Sequence, residues 1–318
     1  MKHGFMSKLG AVAVVGLVLS AGSASAQNVV GIGTTKGGAN AAVGAAISKV
    51  VSDSAGFQMR PQKMGGTQQY LPIVNEGKLE FGVSNIMQVG MAHDGTGMSE
   101  GQPAPNLRII ATLMEFRNGV IVANNSGINT LADLKGKRVP DGYASAPLFE
   151  VFKNTFLESA GLSDKDVKLV PVVNLPKSWA AFKEGKVDMT IAAAGAGAIK
   201  GMEAAIKGGV KFIPVIDSPA ARKALPRTSF RVVEPNDKSV ALKKPTLVNV
   251  YEYVLFSNAK VSDDVAYKVA KAIHTNEKAL RATSPLWKTY DAKNLAKPYD
   301  GLKYHPGAAK YYKEVGLR

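Results

Sequence analysis

Apolar positions along the chain switch between two spacings. Short continuous or alternating runs over residues 29–32, 57–61, 79–83 and 107–113 read as strands. Between them apolar residues recur every three or four positions. Val43, Ile47, Val50 and Val51 share one face of a helix expected over 40–55, with Gly56 as its stop. Further helices are expected over 68–76 and 86–93, and residues 95–106, rich in Gly, Pro and Ser, read as a surface loop. The first third of the chain is therefore a βαβαβ series.

A second series follows "FRNGVIVANN". In "TLADLKGKRV" a short helix capped by Thr130 or Asn129, with Asp133 completing a capping box, leads into a strand near 137–139. A longer helix is expected over 147–160, and then 167–172, "SWAAFKEG", "VDMTIAAA", "AIKGMEAAIKGG" and "VKFIPV" alternate strand and helix. Such alternation predicts an α/β fold of two lobes, each a mostly parallel sheet flanked by helices. Residues 246–258, "TLVNVYEYVLFSN", form the longest β-like run, and a helix opens after it at Ser262. "GVIVANN" and "VNVYEYVLFS" are the two expected crossover strands. Lobe I then comprises 27–117 and 256–318, and lobe II comprises 118–255. No short internal period argues for a solenoid.

The N-terminus alters this picture. Lys2 and Lys8, the apolar run 11–19 and the small residues Ala24-Ser25-Ala26 predict a signal peptide over 1–26, cleaved before Gln27. The apolar run is too short to span a bilayer, and no later run is long enough. The remaining 318 − 26 = 292 residues are expected as a soluble periplasmic protein, large enough for two compact lobes. The chain has no cysteine, so disulfides contribute nothing. Its formal charge falls from +15 to 15 − 2 = +13 when the two signal lysines are removed. The lysines are scattered, with no basic block and no aromatic-basic interleaving, which argues against nucleic acid and for steering of small anions.

The glycine-rich stretch "GIGTTKGGANAAVG" joins the first strand to the first helix. A dinucleotide-binding reading fails, because G-x-G-x-x-G is broken at its last glycine and Asp53 falls in a helix. Close helix–strand packing accounts for single glycines. It does not account for the same device in "KMGGTQQYL", "FGVSNIMQ", "DGYASAPLF" and "AAAGAGAI". Bare backbone at several helix N-termini, beyond the carboxyl ends of strands, supplies N–H donors to an anionic or zwitterionic ligand.

In these motifs the sequence resembles the TAXI-type solute receptors of tripartite ATP-independent periplasmic (TRAP) transporters. The resemblance spans the chain after the signal peptide. It is carried by "GIGTTKGGANAAVG", "GGTQQYLPIVNEGKLEFGVSN", "LADLKGKRV", "AFKEGKVDMTIAAAGAG" and the closing "YHPGAAKYYKEVGL". It implies a two-lobed receptor, monomeric, that closes on a small carboxylate such as a glutamate-like or 2-oxo acid and delivers it to a TRAP membrane permease. Family members often carry Thr-Tyr-Tyr where this chain has Ala39-Asn40-Ala41, and Gly-Ser-Gly-Thr near Tyr143-Ala144-Ser145-Ala146. Those departures fall at expected ligand contacts.

Catalytic and metal patterns are absent from the sequence. His93, His274 and His305 lie far apart, and neither H-E-x-x-H nor G-x-S-x-G occurs. Asp141 and Asp188 read as turn and strand-end aspartates more readily than as a carboxylate pair. No enzyme activity and no cofactor are expected. The expected ligand contacts are Thr34, Gly37, Gly38 and Asn40, then Gly66, Thr67 and Gln68, then Asn85, and in lobe II Tyr143, Ser145, Ala146 and Gly195. Helix capping is the alternative role for each hydroxyl or amide among them. Arg117 is the first candidate for pairing a carboxylate; Arg227, Arg231, Arg60 and Lys36 follow.

Overall fold

A computed structural model describes Met1, residues 29–235 and residues 240–318. The expected signal peptide, Met1 apart, lies outside the described residues. The elements run β1 (Val29–Thr35), α1 (Gly38–Ser54), β2 (Gln58–Met64), α2 (Thr67–Asn75), β3 (Phe81–Asn85), α3 (Ile86–Asp94) and β4 (Leu107–Ala123). They continue with β5 (Arg138–Gly142), α4 (Leu148–Ser159), β6 (Lys168–Val172), α5 (Leu175–Lys183), β7 (Met189–Ala193), α6 (Gly197–Ala205), β8 (Val210–Ile213), α7 (Pro219–Ala224) and β9 (Ser229–Val233). The chain closes with β10 (Thr246–Asn258), α8 (Asp263–Thr275), α9 (Glu277–Thr283) and α10 (Pro306–Glu314).

The α/β class with two lobes is as the sequence predicts, and the strand pairing within it is mixed. β1 pairs in parallel with β2 and β3, and β5 with β6. Every pairing made by β4 and β10 is antiparallel. The reason lies in the connections: β4 leaves the β1–β3 lobe and β10 returns to it, so the two must run in opposite directions. They pair from Leu107↔Asn258 to Asn118↔Asn249. Beyond that point β4 takes β7 and β8 as partners, while at the same end of the ladder the N-terminal residues of β10 take β9. Asp188 N donates to Arg138 O (2.8 Å), setting β7 beside β5. The β5–β7 lobe thus meets β4 as the β1–β3 lobe meets β10.

Two boundaries differ from the expectation. The run 107–113 and the crossover "GVIVANN" are one strand of 17 residues, because pairing with β10 as far as Asn118 and with β7 from Asn118 onward carries the backbone through Arg117-Asn118-Gly119. The short helix after Asn129 is a single 3-10 turn, Ala132–Leu134, although Asp133 accepts from the Asn129 and Thr130 amides (both 2.9 Å) as a capping residue should.

Glycine governs how closely two helices approach the first strands. A Cβ at Gly44 of α1 would fall 2.1 Å from Thr34 Cγ2, and one at Gly33 would fall 2.7 Å from the Tyr70 ring of α2. One large core runs from α1, α8 and α10 through β4 and β10 to α4, and a smaller one fills the space among α5, α6 and β7. No helix of the described residues is long and apolar enough to cross a membrane.

Candidate functional site

Helix entry is where the two lobes differ from ordinary capping. α1, α2, α4 and α6 begin after Gly37, Gly66, Pro147 and Ala196, none of which supplies a side-chain cap. Gly37 and Gly66 are extended (φ −160° and −166°), and a Cβ at either would meet no atom within 4 Å. Gly37 is exposed and Gly66 half-buried, each with the positive end of a helix dipole behind it, and in the first turn of α2 Gln69 N donates to Gly66 O (3.1 Å). α3 is different: Asn85 Oδ1 accepts from Gln88 N (2.8 Å) while its Nδ2 donates to Gln88 Oε1 (2.5 Å). Asn85 is therefore a capping residue with both ends of its amide occupied.

The first two loops are tied together. Asn40 Nδ2 donates to Thr67 Oγ1 and to Tyr70 OH, each at 3.0 Å, and Tyr70 OH donates to Val83 O (2.6 Å). All three side chains are buried. Desolvation pushes the Tyr70 phenol up to about 12, against the opposing effect of Thr67 and Asn40. Tyr70 stays a neutral donor and fixes the end of β3 to both loops. Thr34 is 1% exposed beneath Gly44, with Oγ1 unpartnered among the described residues, so any role in binding falls to its backbone. Gln68 turns away from this network; its Nε2 reaches Met98 O at 3.5 Å, beside a groove of about 300 Å³ lined also by Leu71, Asn75 and Pro103.

A row of aromatic rings connects the lobes. Tyr253 lies directly opposite Asn85 on the neighbouring strand, and Tyr251 opposite Phe116. Centroid separations are 4.7 Å for Tyr253–Phe116, 5.6 Å for Phe116–Tyr251 and 5.6 Å for Tyr251–Phe152. Phe152 continues to Phe149 (6.2 Å) and Phe149 to Tyr143 (5.9 Å). Burial drives the Tyr253 phenol well above 10, with the nearby Tyr251 and Tyr70 phenols adding to the shift. The row thus adjoins Asn85 and Tyr70 at one end and α4 at the other. None of Tyr70, Phe116, Tyr251 or Tyr253 was singled out from the sequence, although the Tyr-Glu-Tyr alternation places two phenols on one strand face.

The lobe II turn is held in an uncommon conformation. Gly142 (φ 88°) and Tyr143 (φ 35°) are both left-handed, a region that costs a tyrosine strain. Glu150 Oε2 accepts from Gly142 N (2.9 Å), and Tyr143 OH donates to Ser178 Oγ (3.2 Å) inside the smaller core. The Tyr143 phenol is thereby spent on packing, while Ser145, exposed, has its Oγ on Val173 O (2.9 Å). Ala146 N returns to Tyr143 O (2.7 Å) and Ala146 is half-buried. Gly195 is exposed with φ 85°, just after Ala194, whose N donates to Arg117 O (2.8 Å). Lys153, wholly buried, supports the turn from below: its Nζ meets Asp141 (2.6 Å), Glu150 (2.7 Å) and Asp164 (2.9 Å). Those three carboxylates could hold a metal ion by spacing, and the ammonium occupies the centre of the group instead.

Three of the candidate arginines, Arg117, Arg227 and Arg231, are partnered within the protein. Arg117 Nε donates to Glu115 Oε1 (2.7 Å), and Arg231 bonds the same carboxylate. Phe116 and Arg117 are consecutive on a regular stretch of β4, so Arg117 lies on the sheet face opposite the aromatic row. The structure therefore does not bring Arg117 to the face carrying Asn85 and Tyr253. Burial would raise the Glu115 pKa, and the two arginines outweigh it, leaving the carboxyl below its usual range. Arg227 pairs Asp94 of α3 (2.8 Å) and donates to Asp300 O (2.9 Å), between Gly90 and Gly301. Arg60 and Lys36 are exposed. Asp141 and Asp188 each have a cation of their own, Lys153 and Arg138 (2.6 and 2.5 Å).

A model of the NMT1-like family matches residues 32–316. The chain belongs to the NMT1-like family. Among curated relatives, a Haemophilus influenzae protein named "Putative thiamine biosynthesis protein" is 36% identical over 99 residues, 30% of this chain and 29% of that protein. The match thus spans under a third of that relative's length. Two solved structures resemble this NMT1-like protein over nearly its whole length. PhnD1 of Prochlorococcus marinus in complex with methylphosphonate aligns with TM-score 0.55 and 13% identity, over 91% of this chain and 99% of that one. MatC of Rhodopseudomonas palustris with bound malate gives 0.54 and 15%, over 91% and 96%. At such identities the likeness establishes the fold, that of the two-lobed periplasmic solute-binding proteins.

Proposed function

We propose that this NMT1-like protein is a periplasmic solute receptor that binds a small organic anion, a carboxylate, between its lobes and presents it to a TRAP membrane permease. Lobe I is taken as 27–117 and 256–318 and lobe II as 118–255, after export directed by residues 1–26. The observation that carries the reading is the set of helix N-termini without side-chain caps at α1, α2 and α6, drawn from both lobes. Free N–H groups and helix dipoles favour a negative group, and backbone donors need no arginine to do so. Gly37, Gly38, Gly66 and Gly195 would act through backbone, with Asn40 and Thr67 fixing the first two loops, while the Ala146 amide is held by Tyr143 O.

Closing would bend β4 and β10, the two strands common to both lobes, near the Glu115–Arg117–Arg231 cluster. The motif set supports the TAXI type of receptor, and methylphosphonate and malate, the anions held by PhnD1 and MatC, support the class of ligand. A thermal-shift screen of amino acids, 2-oxo acids, dicarboxylates and aromatic acids tests it. One carboxylate is expected to raise Tm by several degrees, as ligand binding to the native state alone must. A panel of neutral sugars shifting Tm while every carboxylate leaves it unmoved would overturn the reading.

A further inference from the structure

Buried tyrosines in this protein are satisfied almost throughout. Tyr70, Tyr143, Tyr290, Tyr304 and Tyr312 each donate to a named oxygen, at 2.6, 3.2, 2.9, 3.0 and 2.8 Å. Tyr251 and Tyr253 break the pattern: the residues are 5% and 9% exposed, and neither hydroxyl has a hydrogen-bond partner among the described residues. Burial pushes both phenols up, so each remains a neutral donor. A buried phenol with an unpartnered donor calls for an explanation, and a ligand contact is one that the neighbouring rings support.

The surroundings of the two hydroxyls define what would meet them. Both lie on the strand face shared with Asn85 and Phe116, and Phe152 closes over Tyr251 from α4. Phe116 and Phe149 are only half-buried, leaving ring surface for an apolar body. Aromatic rings take a further ring at centroid distances of about 4.5–7 Å in offset or edge geometry. We infer that Tyr251 and Tyr253 are specificity-determining residues whose hydroxyls donate to the bound solute, and that the solute is a small aromatic carboxylate whose ring lies on Phe116 and Phe149. This rests on the receptor reading above and narrows it.

The test is calorimetric titration of benzoate, phenylacetate, glutamate and 2-oxoglutarate into the wild type and into Tyr251→Phe and Tyr253→Phe, with urea unfolding of all three proteins. Removing an unpartnered hydroxyl should leave the unfolding midpoint unchanged or raised, because no internal bond is lost. An aromatic acid should bind the wild type, and each variant should bind it at least tenfold more weakly. Glutamate or 2-oxoglutarate binding equally to all three proteins overturns the inference and leaves the receptor reading intact. Tighter binding of an aliphatic acid than of either aromatic acid overturns the assigned class. Absence of binding by every carboxylate in the wild type overturns both.

Discussion

Asn40 Nδ2 donates to Thr67 Oγ1 across 3.0 Å, joining two helix N-termini that are 27 residues apart in sequence. The same amide reaches Tyr70 OH, so one side chain fixes two strand–helix loops and the end of β3. Asn40→Ala would leave the Thr67 and Tyr70 oxygens short of a donor. Loss of buried hydrogen bonds costs about 1–3 kcal/mol, against at most about 0.7 kcal/mol gained from helix propensity. A net loss of about 1–2 kcal/mol in urea unfolding is expected, and an unchanged midpoint would mean the bonds do not form.

Lys153→Met tests the support beneath the lobe II turn. The variant removes the cation from Asp141, Glu150 and Asp164 and keeps most of the buried stem. Breaking a buried ion pair from one side costs about 3–5 kcal/mol, so Tm should fall by many degrees. Ligand affinity should fall as well, since Glu150 holds Gly142 N and with it the Tyr143 turn.

The hinge carboxylate sets an expectation for pH. Burial raises the Glu115 pKa, but bonds from Arg117 and Arg231 outweigh it, so the folded value lies below the unfolded one. A depressed carboxyl contributes stability above its unfolded pKa, and that stability is lost as pH falls through the folded value. Asp94, facing His93 and Arg227, and Asp188, facing Arg138, act in the same sense. Stability should therefore decline below about pH 4.5, the upper end of ordinary carboxylate values. Glu115→Gln should lower stability at pH 7 and flatten this acid limb; equal pH profiles for variant and wild type would contradict the ion-pair account.

Arg227 connects the segment after α7 to α3 and to the loop at Asp300. Arg227→Met keeps a stem between Gly90 and Gly301 and removes the charge and its donors. The ligand-free variant is expected to show a larger radius of gyration by small-angle scattering, because the contact holds the lobes in their present separation. An identical scattering curve would place Arg227 outside lobe closure.

Much of the architecture is legible in the chain because hydrophobic period and glycine punctuation are local signals. Val43, Ile47, Val50 and Val51 mark α1 without reference to the rest of the molecule, and all four are buried. The long strand β10 is visible for the same reason. The site is less legible. Tyr251 and Tyr253 become neighbours of Asn85 and Phe116 only through the registers of β10 with β3 and β4, which no local pattern encodes. Arg117 illustrates the converse: its position near the crossover is evident, but the face it occupies depends on β4 continuing unbroken through residues 117–119. Tyr143, expected from the sequence as a ligand contact, is buried where Gly142 lets the chain turn left-handed and its hydroxyl meets Ser178.

The proposed anion site centres on the helix N-termini at Gly37 and Gly66, which lack side-chain caps, and a double substitution reaches them directly. Both residues have N-cap backbone geometry and open space at the Cβ position, so Gly37→Ser and Gly66→Ser can supply the missing caps. Serine in place of glycine at such a position should stabilise the fold by about 0.5 kcal/mol per site while competing for the N–H groups proposed to hold the anion. Calorimetric titration of the carboxylate found in the thermal screen into wild type and double variant decides the matter. The expected result is one-to-one binding by the wild type and at least tenfold weaker binding by a variant that unfolds at a higher urea concentration. Equal affinity in the two proteins would contradict the claim that these helix N-termini receive the solute.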